Sequence, residues 1–282
     1  MYKFSVENKY GEQMELTNNH RYTITEIDGL YPPDAVINTT KNANMDGSVF
    51  NSSSVNDRAI TITLSINSPA EANRLLLYRY FKTKYPVRIY YKNGERDVYI
   101  DGYVSKMTVA YFEKKQTAQI EVTCPKALFT GKREQRTEFS GIVKKFNFPF
   151  AISEKGAALS EVKALEQKSI INGGDVETGV MIRLHAIGSV VNPKIYNVDD
   201  STHMILNVEM QSGDLIVINT RTKEKTVTMT RDGKESNIIG KLERGSRWFT
   251  LLPGDNVFSY EADSFPENLQ CTFVVNNQFE GV

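Results

Sequence analysis

The side chains best able to do chemistry are scarce in this 282-residue chain. There are three histidines (His20, His185, His203), two cysteines (Cys124, Cys271) and one tryptophan (Trp248). The histidines show no close metal-ligand spacing. His185 and His203 fall in strand-like runs, where a structural role outweighs a ligand's. The cysteines form no metal or redox pattern and read as two reduced thiols in strands. No G-x-S-x-G elbow, Walker loop or dinucleotide glycine fingerprint occurs. Carboxylates are plentiful, but nothing picks out a glycosidase pair, whose defined separation sequence alone does not supply. Asp199-Asp200 lacks the alternating acidic pattern of an EF-hand and reads as a solvated turn rather than a calcium site. The expectation is no enzyme: no catalytic residue, no metal and no cofactor. Trp248 is the candidate carbohydrate contact, because an aromatic on a sandwich face can stack on a sugar ring. Phe249 and Leu251-Leu252 flank it, so a core or partly buried place outweighs stacking.

Bulk charge narrows the partners. Lys+Arg and Asp+Glu are 34 each, so the net charge is zero. No bulk electrostatic drive toward nucleic acid follows from that. The 14 tyrosines are spread along strand-like runs and define no stacking platform. No apolar run reaches the length of a membrane helix, and the opening residues lack the apolar core of a signal peptide. The expectation is a soluble protein made in a reducing cytoplasm, with no nucleic-acid partner and no membrane insertion.

The elements that must position any site are organised around residues 57–104. In Arg58–Ile66 the apolar Ile60, Ile62, Leu64 and Ile66 alternate with Thr61, Thr63 and Ser65, the period of a half-buried strand. Ser68, Pro69 and Glu71 have the spacing of a capping box with proline at the first helical position. The helix they predict ends near Lys84, since Pro86 disfavours helix at Tyr85. At ~100° per residue, Ala70, Ala72, Leu76, Leu77, Tyr80 and Phe81 share one arc. The strands Val87–Lys92 and Glu95–Val104 flank Asn93-Gly94, a strong hairpin signal. A helix on an antiparallel sheet is an α+β unit.

Before this unit, Tyr2–Val6, Gln13–Leu16 and Tyr22–Ile27 read as short strands. Residues 32–56 are rich in Asn, Ser, Thr and Asp, and form either a long loop or a weakly paired hairpin. Loops of that length are usually functional or disordered. After the unit, Lys106–Phe112 and Gln116–Thr123 form a second hairpin. The basic Lys126–Ser140 reads as a linker, placing domains at 1–138 and 139–282. Residues 157–168 are ambiguous between helix and strand. The second half then carries strand candidates at 168–171, 180–186, 194–198, 203–208, 214–219, 225–230, 248–251, 256–262 and 269–275. Short strands at this spacing predict a β-sandwich or barrel. The whole is mainly β with one helix.

Several stretches, in this order, resemble the distal tail proteins of long-tailed bacteriophages or phage-derived tail particles, the siphophage tail component family. They are Asp57-Arg58-Ala59-Ile60-Thr61-Ile62 with the helix, hairpin and Tyr99-Ile100-Asp101-Gly102-Tyr103-Val104; Phe148-Pro149-Phe150 with Ile170–Thr178; Gly188–Ile195; Leu251-Leu252-Pro253-Gly254-Asp255-Asn256; and Gly281-Val282. Gly173-Gly174-Asp175 departs from the family's proline-glycine before the aspartate, so an altered turn is expected there. The resemblance implies an N-terminal ring-forming domain and a C-terminal sandwich like galectins or carbohydrate-binding modules. It implies a structural baseplate component at the virion tail tip: a homo-hexameric ring joining the tail-tube protein to the central tip protein, a tail-associated lysin or fibre. Receptor-binding proteins or cell-wall glycans are the implied outer partners. The rival reading is a stand-alone carbohydrate-binding protein at a bacterial surface, which has no obvious need for the N-terminal unit. Sugar binding by the sandwich is expected to be weak or nil.

On the helix, Leu75 and Tyr78 share an arc with Glu71, Arg74, Arg79 and Lys82. Closed rings form by heterologous contacts, for which a mixed apolar and charged face is suited. Glu71, Arg74, Leu75, Tyr78 and Arg79 are therefore the candidate subunit interface, with the polar 32–56 segment ordering against the neighbour.

Overall fold

The structure is a computed structural model that describes residues 2–43, 46–110, 112–139, 142–144, 160–162 and 167–282. Its contacts divide the chain into two compact units, Met1–Arg133 with Gln278–Val282, and Glu134–Asn277. The closing residues therefore belong to the first unit, and the second is an excursion of the chain between Arg133 and Gln278.

Among the described residues the first unit holds ten strands before residue 133: β1 (Lys3–Asn8), β2 (Gln13–Glu15), β3 (Tyr22–Asp28), β4 (Ala35–Thr40), β5 (Val49–Val55), β6 (Arg58–Ile66), β7 (Pro86–Lys92), β8 (Asp97–Ala110), β9 (Thr117–Cys124) and β10 (Phe129–Gly131). The helix α1 (Ala70–Tyr80) lies between β6 and β7. The main sheet runs β2-β1-β7-β8-β9-β6-β3, and β10 joins β8 to the tail strand Gln278–Phe279. Alternation explains the core. Ile60, Ile62, Leu64 and Ile66 of β6 are buried, as are Ala118, Ile120, Val122 and Cys124 of β9, which pairs with it. Val98, Ile100 and Val104 of β8 continue that face. Gly102 completes it, because a Cβ there would stand 2.6 Å from Val122 Cγ1 and 2.7 Å from Cys124 Sγ.

Four local expectations are corrected. Ser68 is not a helix cap: Pro69 is the N-cap and no side-chain cap bond forms. Helix thus begins at Ala70, one residue later than a capping box requires, and Glu71 loses its place at the third position. Asn73 does the anchoring instead. It is buried, its side-chain amide donates to Asn67 O at 2.9 Å, and its carbonyl accepts the Tyr22 hydroxyl at 2.8 Å. The core-facing arc is accordingly Asn73, Leu77 and Phe81, with Ala70 and Tyr80 partly buried against the same core, and Ala72 is exposed. The helix stops at Tyr80 rather than near Lys84, since the chain reverses through a left-handed Lys84 whose N–H bonds Val104 O. Likewise, Asn93-Gly94 is not a two-residue turn. Asn93 Oδ1 accepts the N–H groups of Glu95 and Arg96, which closes a longer Asx turn.

The two expected hairpins share one strand. β8 runs 14 residues, pairing with β7 through Tyr103 and with β9 from Tyr103 onward. A register shift between Val104 and Lys106 marks the changeover, the usual work of a bulge. Residues 32–56 resolve into the hairpin β4–β5, exposed along both strands.

One buried charge joins distant parts of this unit. Arg58, 4% exposed, donates to Gly29 O, Tyr31 O and Ala127 O at 2.6 Å each and to Glu280 O at 2.5 Å. Its guanidinium also lies 4.7 Å from the Phe129 ring centre.

The second unit is a sandwich of two antiparallel sheets. One orders as 135–139, 269–275, 181–186, 215–219, 226–231 and 234–237; the other as 168–172, 254–264, 190–197 and 202–205, with 209–210 beside 190–197. Aromatic rings join them. Phe139 meets Tyr260 edge-on at 5.6 Å, and Phe258 meets Phe273 at 4.9 Å. The expected linker at 126–140 is not a loop: it contains β10 and the strand Gln135–Phe139, with Phe129 and Phe139 buried. Those strands pair with Val98–Tyr99 and Cys271–Val275. The strand expected at 248–251 is reduced to Thr250–Leu251. The Phe148-Pro149-Phe150 motif and most of 157–168 lie outside the described residues.

Asp214, 2% exposed, is paired to Arg231 through Nε at 3.0 Å to both carboxylate oxygens, and accepts the Gln211 N–H at 2.7 Å. The Arg231 bonds, then the Gln211 N–H, hold its carboxyl below the usual range despite burial.

Two outcomes are expected. Arg58→Met leaves four carbonyls without their donor and should cost about 3 kcal/mol in chemical denaturation. It should also speed amide exchange in residues 278–282; unchanged exchange there would refute the clamp. A depressed carboxyl contributes stability that is full above its unfolded pKa, about 3.9. That stability is lost as pH falls through the lower folded value. Asp214→Asn should therefore be less stable at neutral pH by about 2 kcal/mol, with a melting temperature that falls less than wild type's below about pH 4.

Candidate functional site

The five candidate interface residues on α1 separate into two groups. Glu71, Leu75 and Arg79 are exposed, Leu75 by 56%, whereas Arg74 and Tyr78 are half-buried. Glu71 pairs with Arg74 one turn on, and the Arg74 guanidinium lies 5.7 Å from the Tyr78 ring centre. Arg79 pairs with Glu12 in the β1–β2 turn. Glu12 is held below the ordinary glutamate range, first by the Asn8 amide and then by Arg79.

Beside this face lies a groove of about 840 Å³ lined by Tyr10, Tyr78, Arg79, Phe81, Lys82, Thr83 and Met107. Next to Tyr10 and Lys82 of the groove, cations lie over tyrosines: Lys9 Nζ is 3.7 Å from the Tyr85 ring centre and 4.8 Å from that of Tyr10, and Lys82 Nζ is 4.9 Å from Tyr85. Tyr10, Lys9 and Met107 were not legible as members of this surface. They come from the β1–β2 turn and the far half of β8, and only the folded sheet brings them to α1.

The hairpin β4–β5 is the second open surface. Ile37, Val49, Phe50 and Val55 are each more than half exposed. Its strands are joined by side chains as well as backbone: Asn38 Nδ2 donates to Ser52 Oγ at 3.1 Å, and Asn51 Nδ2 to Thr40 Oγ1 at 2.6 Å. A two-stranded ribbon is marginal by itself, and apolar groups in the open on such a ribbon mark a contact surface.

In the second unit Trp248 is half-buried and sits outside any strand. It packs against the sandwich core and borders a cleft of about 510 Å³. Glu177, Asp199, Asp200, Arg247, Leu252 and Asp255 are among its other walls. Lys225 Nζ is 5.5 Å from the indole ring centre. The cleft's floor is built by two buried asparagines. Asn197 Oδ1 accepts the Asp199 N–H at 3.0 Å. Asn256 accepts from Leu252 N at 2.9 Å and donates to Leu252 O and Gly254 O, with Gly254 at φ +95°. The Pro253–Asn256 segment is thus a structural turn. Asp200 closes a turn onto Thr202, and Asp199 accepts the Val257 N–H at 2.8 Å. Among the described residues no group of three or more His, Cys, Asp and Glu side chains could hold a metal ion. His185 bonds Gln270 at 3.1 Å, and the ring of His203 lies 6.4 Å from that of Tyr196. The Gly173-Gly174 turn is tied by Asn277 Oδ1 to Gly173 N–H and by Asn172 Oδ1 to Gly174 N–H.

Comparison with known proteins covers both units. The family model for the phage tail protein RIFT-related domain matches residues 9–124, and that for the siphovirus-type tail component, C-terminal domain, matches residues 173–274. Among solved structures the chain is similar to the Dit (gp 19.1) protein of phage SPP1, described as a paradigm of the hub adsorption apparatus in phages infecting Gram-positive hosts. The TM-score is 0.69 at 15% identity, covering 98% of this chain and 99% of that one. It is also similar to a chain of the phage P2 baseplate in its calcium-activated conformation, at a TM-score of 0.56 and 13% identity over the whole of both chains. The strontium-activated form of that baseplate gives a TM-score of 0.54 at 14% identity. No curated protein matches the chain.

Proposed function

The chain belongs to the siphophage distal tail protein family and is a structural component of the tail tip, and on that premise we propose that it works as a homo-hexameric ring without enzymatic activity. The ring joins the tail-tube protein to the central tip protein, a tail-associated lysin or fibre. The ring is assigned to the first unit, and the second unit is assigned to receptor-binding proteins or the cell wall.

The observation that carries this reading is the hairpin β4–β5. It sets Ile37, Val49 and Phe50 in solvent on a ribbon packed into no core, while Leu75 and the Tyr78 groove stand open on α1. One surface meeting a different one on the neighbour is the heterologous contact that closes a ring. We assign the ring contact to this hairpin and to the face of Glu71, Arg74, Leu75, Tyr78 and Arg79. The rival, a glycan binder acting alone, gives the first unit no task.

Phe50→Asp and Leu75→Asp alter exposed side chains and should leave the fold and melting temperature unchanged. Wild type should form hexamers in mass photometry, at raised concentration or with its tail-tube partner, and each variant should remain smaller. Variants that assemble like wild type would exclude these surfaces. A wild type that stays monomeric even with its tail partners would sink the ring.

A further inference from the structure

We propose that Asn93 is a site of spontaneous deamidation by the Gly94 backbone nitrogen, and that the fold protects the chain's other Asn-Gly pair. The sequence contains two such pairs, Asn93-Gly94 and Asn172-Gly173. In the reaction the Gly94 nitrogen forms a bond to Asn93 Cγ and gives its proton to water. The bond from Cγ to Nδ2 breaks, and ammonia leaves. The five-membered imide then takes up water at either carbonyl, giving aspartate or isoaspartate. An attack within one chain gains from the proximity of its two groups, and glycine puts no Cβ in its way. The inference rests on the β7–β8 connection and is independent of ring formation.

The turn at residues 93–96 leaves this step open. Gly94 is exposed, and a Cβ there would meet nothing within 4 Å. Among the described residues neither the Gly94 N–H nor Asn93 Nδ2 has a hydrogen-bonding partner. Nucleophile and leaving group are therefore both free. Asn93 Oδ1 gains negative charge as the nitrogen attacks, and it already accepts the Glu95 N–H at 2.9 Å and the Arg96 N–H at 2.7 Å. Two backbone donors at such distances stabilise a developing oxyanion. The second pair is the opposite case. Asn172 is 1% exposed, and its Nδ2 donates to Val176 O at 2.9 Å and to Leu251 O at 3.1 Å. The Gly173 N–H is held by Asn277 Oδ1 at 3.1 Å. Those bonds must break before Asn172 reacts, which slows it by about tenfold or more. Isoaspartate at residue 93 would lengthen the backbone by one methylene and remove the acceptor that caps Glu95 and Arg96.

The full chain is aged at mildly alkaline pH beside a synthetic peptide of residues 88–99. Isoaspartate is read by methyl transfer from S-adenosylmethionine with an isoaspartyl methyltransferase, and placed by peptide mass mapping. By the time the peptide is half converted, modification at Asn93 of the folded chain should exceed that at Asn172 by about tenfold or more. The rate should rise with pH, because the attacking nitrogen must lose its proton. Gly94→Ala fits the open space around it and should slow the reaction by about tenfold or more. Amide exchange at Glu95 and Arg96 should speed up in the aged wild type and stay unchanged in aged Gly94→Ala. The proposal is overturned if Asn93 is unmodified when the peptide is half converted, if Asn172 reacts as fast, or if Gly94→Ala ages like wild type.

Discussion

The first unit depends on a permanent charge buried among backbone carbonyls. Arg58 is satisfied by four backbone carbonyls, from the turn after β3, the segment before β10 and the C-terminal tail. A buried cation is costly unless each of its donors is met, and a guanidinium in a fixed planar fork demands its acceptors at set positions. Those positions therefore constrain the chain. Gly29 must be glycine: its φ is +84°, and a Cβ would lie 2.0 Å from Ala59 O. Only that close passage lets the Gly29 carbonyl reach the guanidinium from the strand's own start. The tail is constrained equally. Glu280 O accepts from Arg58, the Val282 N–H bonds Leu30 O, and the Arg96 guanidinium lies 4.4 Å from the Phe279 ring centre. The tail's place in the first unit is thus a consequence of how one arginine is solvated.

The second unit solves a different problem. Two sheets must be joined through their faces, where no backbone hydrogen bond can act. Large rings from opposite sheets do this by packing, with Phe139 and Phe273 on one side and Tyr260 and Phe258 on the other. Edge-on and offset geometries of this kind add to the area they bury. Near strand ends, the buried amides of Asn172, Asn197 and Asn256 bond backbone groups of the adjoining turns. This is why Trp248 can border a cleft while leaning on the core: the turns around it are held by their own amides.

Legibility in the sequence followed the range of the interactions. The strand Arg58–Ile66, the helix, the exposed Leu75 and the sandwich strands at 181–186 and 269–275 declare themselves by local periodicity. The helix cap failed because the decisive residue, Asn73, anchors to Asn67 and Tyr22 rather than showing the Ser68–Glu71 spacing. The supposed linker failed because its two strands owe their order to partners such as Cys271–Val275, far along the chain. Arg58 looked like one charged residue at a strand start; nothing near it in sequence announces a carbonyl from residue 280. The groove beside α1 was hidden for the same reason, with Tyr10 and Met107 arriving from other elements. Trp248 was placed correctly as partly buried by its apolar neighbours, but the cleft required turns from residues 177, 199 and 255.

The proposed ring contact rests most directly on the hairpin β4–β5. Its apolar side chains are spaced among Asn, Ser and Thr, and the cross-strand pairs Asn38–Ser52 and Asn51–Thr40 replace the burial that normally holds a ribbon together. A polar ribbon of this kind exposes too little continuous apolar surface to collapse on itself, and its strands already pair with each other. It still offers Ile37, Val49 and Phe50 to a surface that can cover them. Covering those three side chains removes apolar area from water at roughly 25 cal/mol per Å². The gain from each contact is modest, but in a closed ring every copy makes it twice, once as donor of the ribbon and once as its acceptor. In the proposed ring, such weak surfaces repeated in every copy add together without any one of them being large.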